Sequence, residues 1–204
     1  MGRQPLPAAA GDGQTELSLS PLWRSIKAYA AHDDPLVATA NLIALVVVSN
    51  QPFYPLYLYW LVGPDIQPSF WLFLSTPFFA AVPAVARLNA TAGRALLPLA
   101  GIANTMLSAK VFGVASGVEI FLIPCLLIGL VVFRPSERLT GLAIAGLAFL
   151  VFALLHGRYG APVHLYSPDE YASFLKLNAT SAATLTAFIG LLVAGLIAER
   201  QKQE

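Results

Sequence analysis

Residues able to do acid–base, nucleophilic or metal chemistry are scarce in this chain. Its 204 residues include three histidines, one cysteine and eleven carboxylates. A haem held between membrane helices needs two axial histidines that face each other. His32 precedes the first apolar segment, whereas His156 and His164 follow the fifth, so no such pair forms across an apolar core. His156, His164 and Asp169 share one connection and are the closest approach to a metal-ligand set, but no metal site is expected from them. The single cysteine, Cys125, excludes an internal disulfide framework and a cysteine-based zinc cluster. It falls in mid-segment, where it reads as a packing residue. The HExxH, GxSxG and Walker A patterns are absent. The net charge is +1, which advertises no nucleic-acid surface. The expectation is a protein without enzymatic activity or cofactor.

The other candidates are polar side chains embedded in apolar sequence. Such groups are costly in hydrocarbon and usually face a partner or a cavity. Asn50, Gln51 and Tyr54 fall late in the first apolar segment. Asn104, Ser108 and Lys110 fall late in the third, Glu119 opens the fourth, and Lys176 and Asn178, with Thr180 and Ser181, begin the sixth. These positions share the same half of the layer, and they predict a ligand-binding pocket there. Asn104 and Ser108 are four apart and share a face. Lys110 and Glu119 flank the turn Gly113-Val114-Ala115-Ser116-Gly117, which predicts a structural ion pair across that hairpin.

Positioning these residues takes a membrane bundle. The chain is 57% hydrophobic and 11% charged, with mean hydropathy +0.68. Soluble domains carry roughly 25% charged residues. Six apolar segments, at 36–61, 70–85, 95–112, 118–133, 139–155 and 171–198, approach or exceed the roughly 20 residues needed to cross a bilayer core. With the N-terminus inside, Arg3, Arg24, Lys27, Arg87, Arg94, Arg134, Arg138, Arg200 and Lys202 are cytoplasmic. Lys110, Arg158 and Lys176 are outside. Nine against three satisfies the positive-inside rule for six spans with both ends cytoplasmic. The predicted class is therefore all-α, a six-transmembrane-helix bundle over 35–198. Residues 1–34 form a cytoplasmic arm, in which Ser20-Pro21 starts a short helix of amphipathic, interfacial type. Residues 199–204 form a cytoplasmic tail.

Pro52, Pro55, Pro77, Pro83, Pro98 and Pro124 lie within the segments, and each removes a helical hydrogen bond. The run from Asn50 to Trp60 holds two of them, together with three tyrosines. It reads either as an aromatic belt or as a broken helix whose carbonyls and phenols line a cleft. Gly113, Gly117, Gly141, Ala145, Gly190 and Ala194 allow close helix contact, including a homodimer face. The connection at 157–170 is the longest and reads either as a lid over the pocket or as a passive connection.

The stretch GVASGVEIFLIPCLLIGLVVFRPSER at 113–138 resembles the middle of six-helix bacterial membrane sensor modules. Those modules precede class III adenylate cyclases, diguanylate cyclases and histidine kinases. The last segment, with Asn178 early and Glu199-Arg200 at its end, resembles the helix that leads to the effector, although no effector sequence follows here. The resemblance implies a bacterial inner-membrane location and ligand sensing. The leading expectation is a receptor-like module binding a small apolar or amphipathic ligand, such as a lipid or quinone. The alternatives are an accessory subunit that binds a partner membrane protein, and a small transporter or channel.

Overall fold

The computed structural model describes residues 21–202. The first twenty residues of the arm expected over 1–34, including Ser20 as a cap, lie outside the described residues. Every regular element among them is helical, and none is a strand. The α-helices are α1 (Pro21–Ala30), α2 (Pro35–Asn50), α3 (Tyr54–Val62), α4 (Thr76–Leu88), α5 (Ala90–Phe112), α6 (Leu122–Val131), α7 (Arg138–Leu155) and α8 (Pro168–Gln201).

Five helical segments are long and apolar enough to cross a membrane: Pro35–Val62, Gln67–Leu88, Ala90–Phe112, Pro135–Leu155 and Pro168–Gln201. The fourth predicted segment forms a shorter apolar helix, Val118–Val131. At 1.5 Å per residue its 14 residues span about 21 Å, less than a ~30 Å hydrocarbon core. The protein is thus all-helical, with the lengths and apolarity of a membrane protein. Its outer surface agrees, because Trp60, Leu88 and Leu191 are 90%, 89% and 73% exposed. Large apolar side chains exposed to this extent suit lipid rather than water.

Proline chemistry explains where the segments break. Gln51–Phe53 is a 3-10 turn joining α2 to α3, with Pro52 inside it and Pro55 in the first turn of α3. The second segment starts as a 3-10 stretch, Gln67–Ser75, and becomes α-helical where Pro77 enters the first turn of α4. Val118–Phe121 is again 3-10, and Pro124 follows in the first turn of α6. A proline in a helix's first turn costs no hydrogen bond, since that N–H has no intrahelical acceptor. Only Pro83 and Pro98 sit inside continuous α-helix.

The caps are local. Asp34 accepts the Leu36 N–H at 2.9 Å and starts α2, and Asn89 accepts the Ala92 N–H at 2.9 Å and starts α5. Ser167 and Glu170 form a reciprocal capping box at the start of α8. Gly113 and Gly117 adopt φ of 82° and 72°, so the predicted GxxxG is a turn, held in a left-handed conformation that favours glycine. Close packing runs through Gly117, where a Cβ would lie 2.4 Å from Leu175 Cδ1, and through α6 and α7, where a Cβ on Gly141 would lie 2.4 Å from the Gly129 carbonyl oxygen.

The bundle has two chemically different ends. At the end that carries α1, Tyr29 donates to the Ala80 carbonyl at 2.8 Å, and Arg87 donates to the Tyr29 carbonyl at 3.1 Å. Asn41 donates to Ala30 at 3.0 Å, so α1 is tied to both α2 and α4. Arg134 pairs with Asp34 at 2.8 Å on the same end. At the opposite, hairpin end, Tyr166 donates to the Asp65 carbonyl at 2.9 Å. Phe112, Tyr166, Tyr171 and Phe174 pack there as an aromatic cluster.

Candidate functional site

A cavity of about 760 Å³ lies between α2–α3, α5, α6 and α8. Its size falls within the range of small-molecule sites. One side is framed by exposed residues: Val46, Asn50 and Phe53 from the first segment, Thr180 and Thr184 from α8. The opening therefore faces sideways, out of the bundle, between α2 and α8.

Four predicted ligand-binding residues line this cavity: Asn50, Gln51, Tyr54 and Asn104. The break at Gln51–Phe53 brings three of them there, which matches the broken-helix reading of that run. Their side chains differ in what they have left to offer. Gln51 is engaged, donating to Ser75 Oγ at 2.7 Å and accepting from Thr76 Oγ1 at 2.7 Å. It thereby joins the break in the first segment to the 3-10-to-α transition in the second. Tyr54 donates to Asn178 Oδ1 at 3.1 Å. Asn104 is different, because its Oδ1 is enclosed and has no hydrogen-bond partner among the described residues. A buried acceptor left unpaired costs roughly 1–3 kcal/mol, which a bound donor would recover.

The other four lie elsewhere. Asn178 is fully buried and donates to the Ser116 carbonyl at 2.9 Å, so it knots α3, α8 and the 113–117 turn together. Ser108 is buried and donates back to the Asn104 carbonyl at 2.7 Å, a local bond within α5. Lys176 is exposed on α8.

Glu119 is 6% exposed and outside the cavity lining, and the expected Lys110–Glu119 ion pair does not form. Glu119 Oε2 instead meets His156 Nδ1 at 2.6 Å, and Lys110 donates to the Ala161 carbonyl at 2.7 Å. The physical reason is the 113–117 turn. It carries Lys110 toward the 157–167 connection, while the 3-10 start of the next segment aims Glu119 at the end of α7. Tyr159 lies beside Glu119, and burial followed by that negative charge pushes its phenol up to about 12. Tyr159 therefore stays protonated through the physiological range.

The connection predicted as a lid contributes no residue to the cavity lining. It is pinned over the hairpin end by Tyr166, Lys110 and the Val163 N–H, which donates to Val111. His164 packs edge-on against Tyr166 at 4.6 Å. Among the described residues no three His, Cys, Asp or Glu side chains are placed to hold a metal ion.

Two features escape sequence reading. Cys125 lines the cavity, and so do Thr184 and Phe188, one and two turns beyond Thr180 on α8. The i, i+4, i+8 spacing of Thr180, Thr184 and Phe188 is the signal that could have found them. Arg94 is the second feature. It reads as a positive-inside residue, yet it is 1% exposed, the largest fully buried side chain. It donates to Glu137 at 2.8 Å, Val132 at 2.8 Å and Ala90 at 3.2 Å, and it lies 5.6 Å from the Phe133 ring centre. Thr91 donates to the same Glu137 carboxylate. This node clamps α5 to the 132–137 connection at the end that carries α1.

Compared with protein-family models, curated proteins and solved structures, the chain matches none. The geometry of the cavity must carry the functional reading.

Proposed function

We propose that this protein is a non-enzymatic, receptor-like membrane module that takes a small apolar or amphipathic ligand into the cavity between α2 and α8. The observation that carries this reading is the laterally open 760 Å³ cavity with the unpaired Asn104 acceptor in its wall. Such a mouth admits molecules already dissolved in lipid. The positive-inside count supports six spans with both ends cytoplasmic, Val118–Val131 being the short one, and the resemblance of 113–138 to bacterial sensor modules supports a multi-pass location in a bacterial inner membrane. In this orientation the polar part of the cavity lies in the outer leaflet. Ligand would act on α8, which supplies one wall of the cavity and runs on to the end that carries α1. A signal requires that the ligand prefer one arrangement of α8 over another.

The test is purification in mild detergent, with mass spectrometry of co-purifying molecules and thermal unfolding across a panel of lipids and quinones. A bound species that raises the unfolding midpoint is expected. An empty protein with an unchanged midpoint across the panel would overturn the reading.

An accessory-subunit role is the second reading, and one observation favours it. Ala183, Ala187, Gly190 and Ala194 form an exposed stripe of small residues on α8, and a Cβ at Gly190 would meet nothing within 4 Å. A stoichiometric membrane partner in a native pull-down would support it.

A further inference from the structure

The cavity wall changes character along its length, and three helices change together. On α2 the lining runs from Ile43 to Asn50, and on α5 from Leu97 to Asn104. Each run spans seven residue steps, or about 10 Å of helix. On α8, which runs the other way, the lining goes from Thr180 and Ser181 to Phe188 over about 12 Å. The amides and most of the hydroxyls of the lining therefore sit on the hairpin side, among Phe53, Leu72, Phe73, Phe121 and Leu177, and the opposite side is aliphatic and aromatic. Ile43, Phe79, Leu97 and Ile128 belong both to that apolar side and to the buried core of the bundle.

No charged side chain lines the cavity. The nearest candidates are used or turned away. Glu119 is held by His156, Lys110 by the Ala161 carbonyl, and Lys176 is exposed outside the lining. A charged headgroup drawn into this space would lose hydration and gain no counter-ion, at a cost that excludes it. A neutral head that carries a hydrogen-bond donor would instead satisfy Asn104 Oδ1. A purely apolar guest would leave that acceptor unpaired.

From this gradient we infer that the cavity is built for an uncharged single-chain amphiphile with a hydroxyl-bearing head. The head lies against Asn104 and near Thr180 and Ser181, and the tail points past Cys125 toward Leu97 and Phe188. This inference rests on the proposed function, because it specifies the ligand class of the same cavity.

The native protein carries its own reporter, since Cys125 is its one cysteine and lines the cavity. The protein is placed in phosphatidylcholine nanodiscs with dodecanol, dodecane, dodecylsulfonate or dodecyltrimethylammonium. Methyl methanethiosulfonate labelling of Cys125 is then followed by intact mass, with the thermal midpoint read in parallel. Should the thiol not react, the midpoint carries the comparison. Dodecanol is expected to slow labelling at least about fivefold and raise the midpoint. Dodecane should act more weakly, and the two ions not at all. Asn104→Leu should bring dodecanol down to the level of dodecane without abolishing either. Equal protection by the neutral and charged heads overturns the headgroup inference and leaves the cavity as a binding site. No effect from any of the four overturns the binding reading itself.

Discussion

At the scale of single residues, the polar groups inside this bundle divide into those that hold it together and those left free. Asn178 belongs to the first kind. Replacing it with alanine strands the Tyr54 hydroxyl and the Ser116 carbonyl, both its partners. Asn178→Ala should therefore cost about 2 kcal/mol, seen as a lower midpoint in thermal or denaturant unfolding. Arg94 is the extreme case, because its guanidinium is buried on two backbone carbonyls and the Glu137 carboxylate. Arg94→Met leaves Glu137 without its cation and should cost about 3–5 kcal/mol. The His156–Glu119 contact calls for a double-mutant cycle. His156→Ala should destabilise by leaving a 6% exposed carboxylate without its 2.6 Å partner. Adding Glu119→Gln should recover part of the loss, and simple additivity of the two changes would refute the coupling. The sequence shows that these residues are costly to bury, which is why Asn104 and Glu119 stand out from it. It does not show which are satisfied, because Asn178, Gln51 and Glu119 find partners 24 to 124 residues away.

At the scale of elements, glycine position separates packed from unpartnered helix faces. A Cβ at Gly141 would meet the Gly129 carbonyl at 2.4 Å, a backbone contact that only helix separation relieves. Gly141→Ala should destabilise by about 1–3 kcal/mol. A Cβ at Gly190 would meet nothing, so Gly190→Ala should instead stabilise α8 by up to about 1 kcal/mol in the isolated protein. A Gly190→Leu protein that keeps its stability and loses a membrane partner would move the balance toward the accessory-subunit reading. The helices themselves are legible in sequence, since apolar runs and caps such as Asp34 and Asn89 are local signals. The 3-10 starts at Gln67 and Val118 are less so. They follow from where Pro77 and Pro124 fit a first turn, which depends on where the helix begins. The short helix expected ahead of the first segment is present as α1, docked by Tyr29, Arg87 and Asn41.

For the whole molecule, composition is enough to predict the long apolar helices that suit a membrane protein, and the distribution of polarity is enough to point at one half of the bundle. The cavity itself is not legible, because it is a gap between α2 and α8 and a gap has no sequence. Of the groups named from sequence, Asn50, Gln51, Tyr54, Asn104, Thr180 and Ser181 line it, whereas Glu119 lies outside the lining and meets His156 at the hairpin end. With Glu119 outside the lining, the unpaired Asn104 acceptor is what the cavity offers an amphipathic ligand, a neutral hydrogen bond. The most direct measurement is a side-chain-resolution density map of protein purified with its native lipids. The account predicts elongated density in the cavity between α2 and α8, with one end in hydrogen-bond contact with Asn104 and the other against Phe188. A cavity closed by α8, or one holding only water, would contradict it.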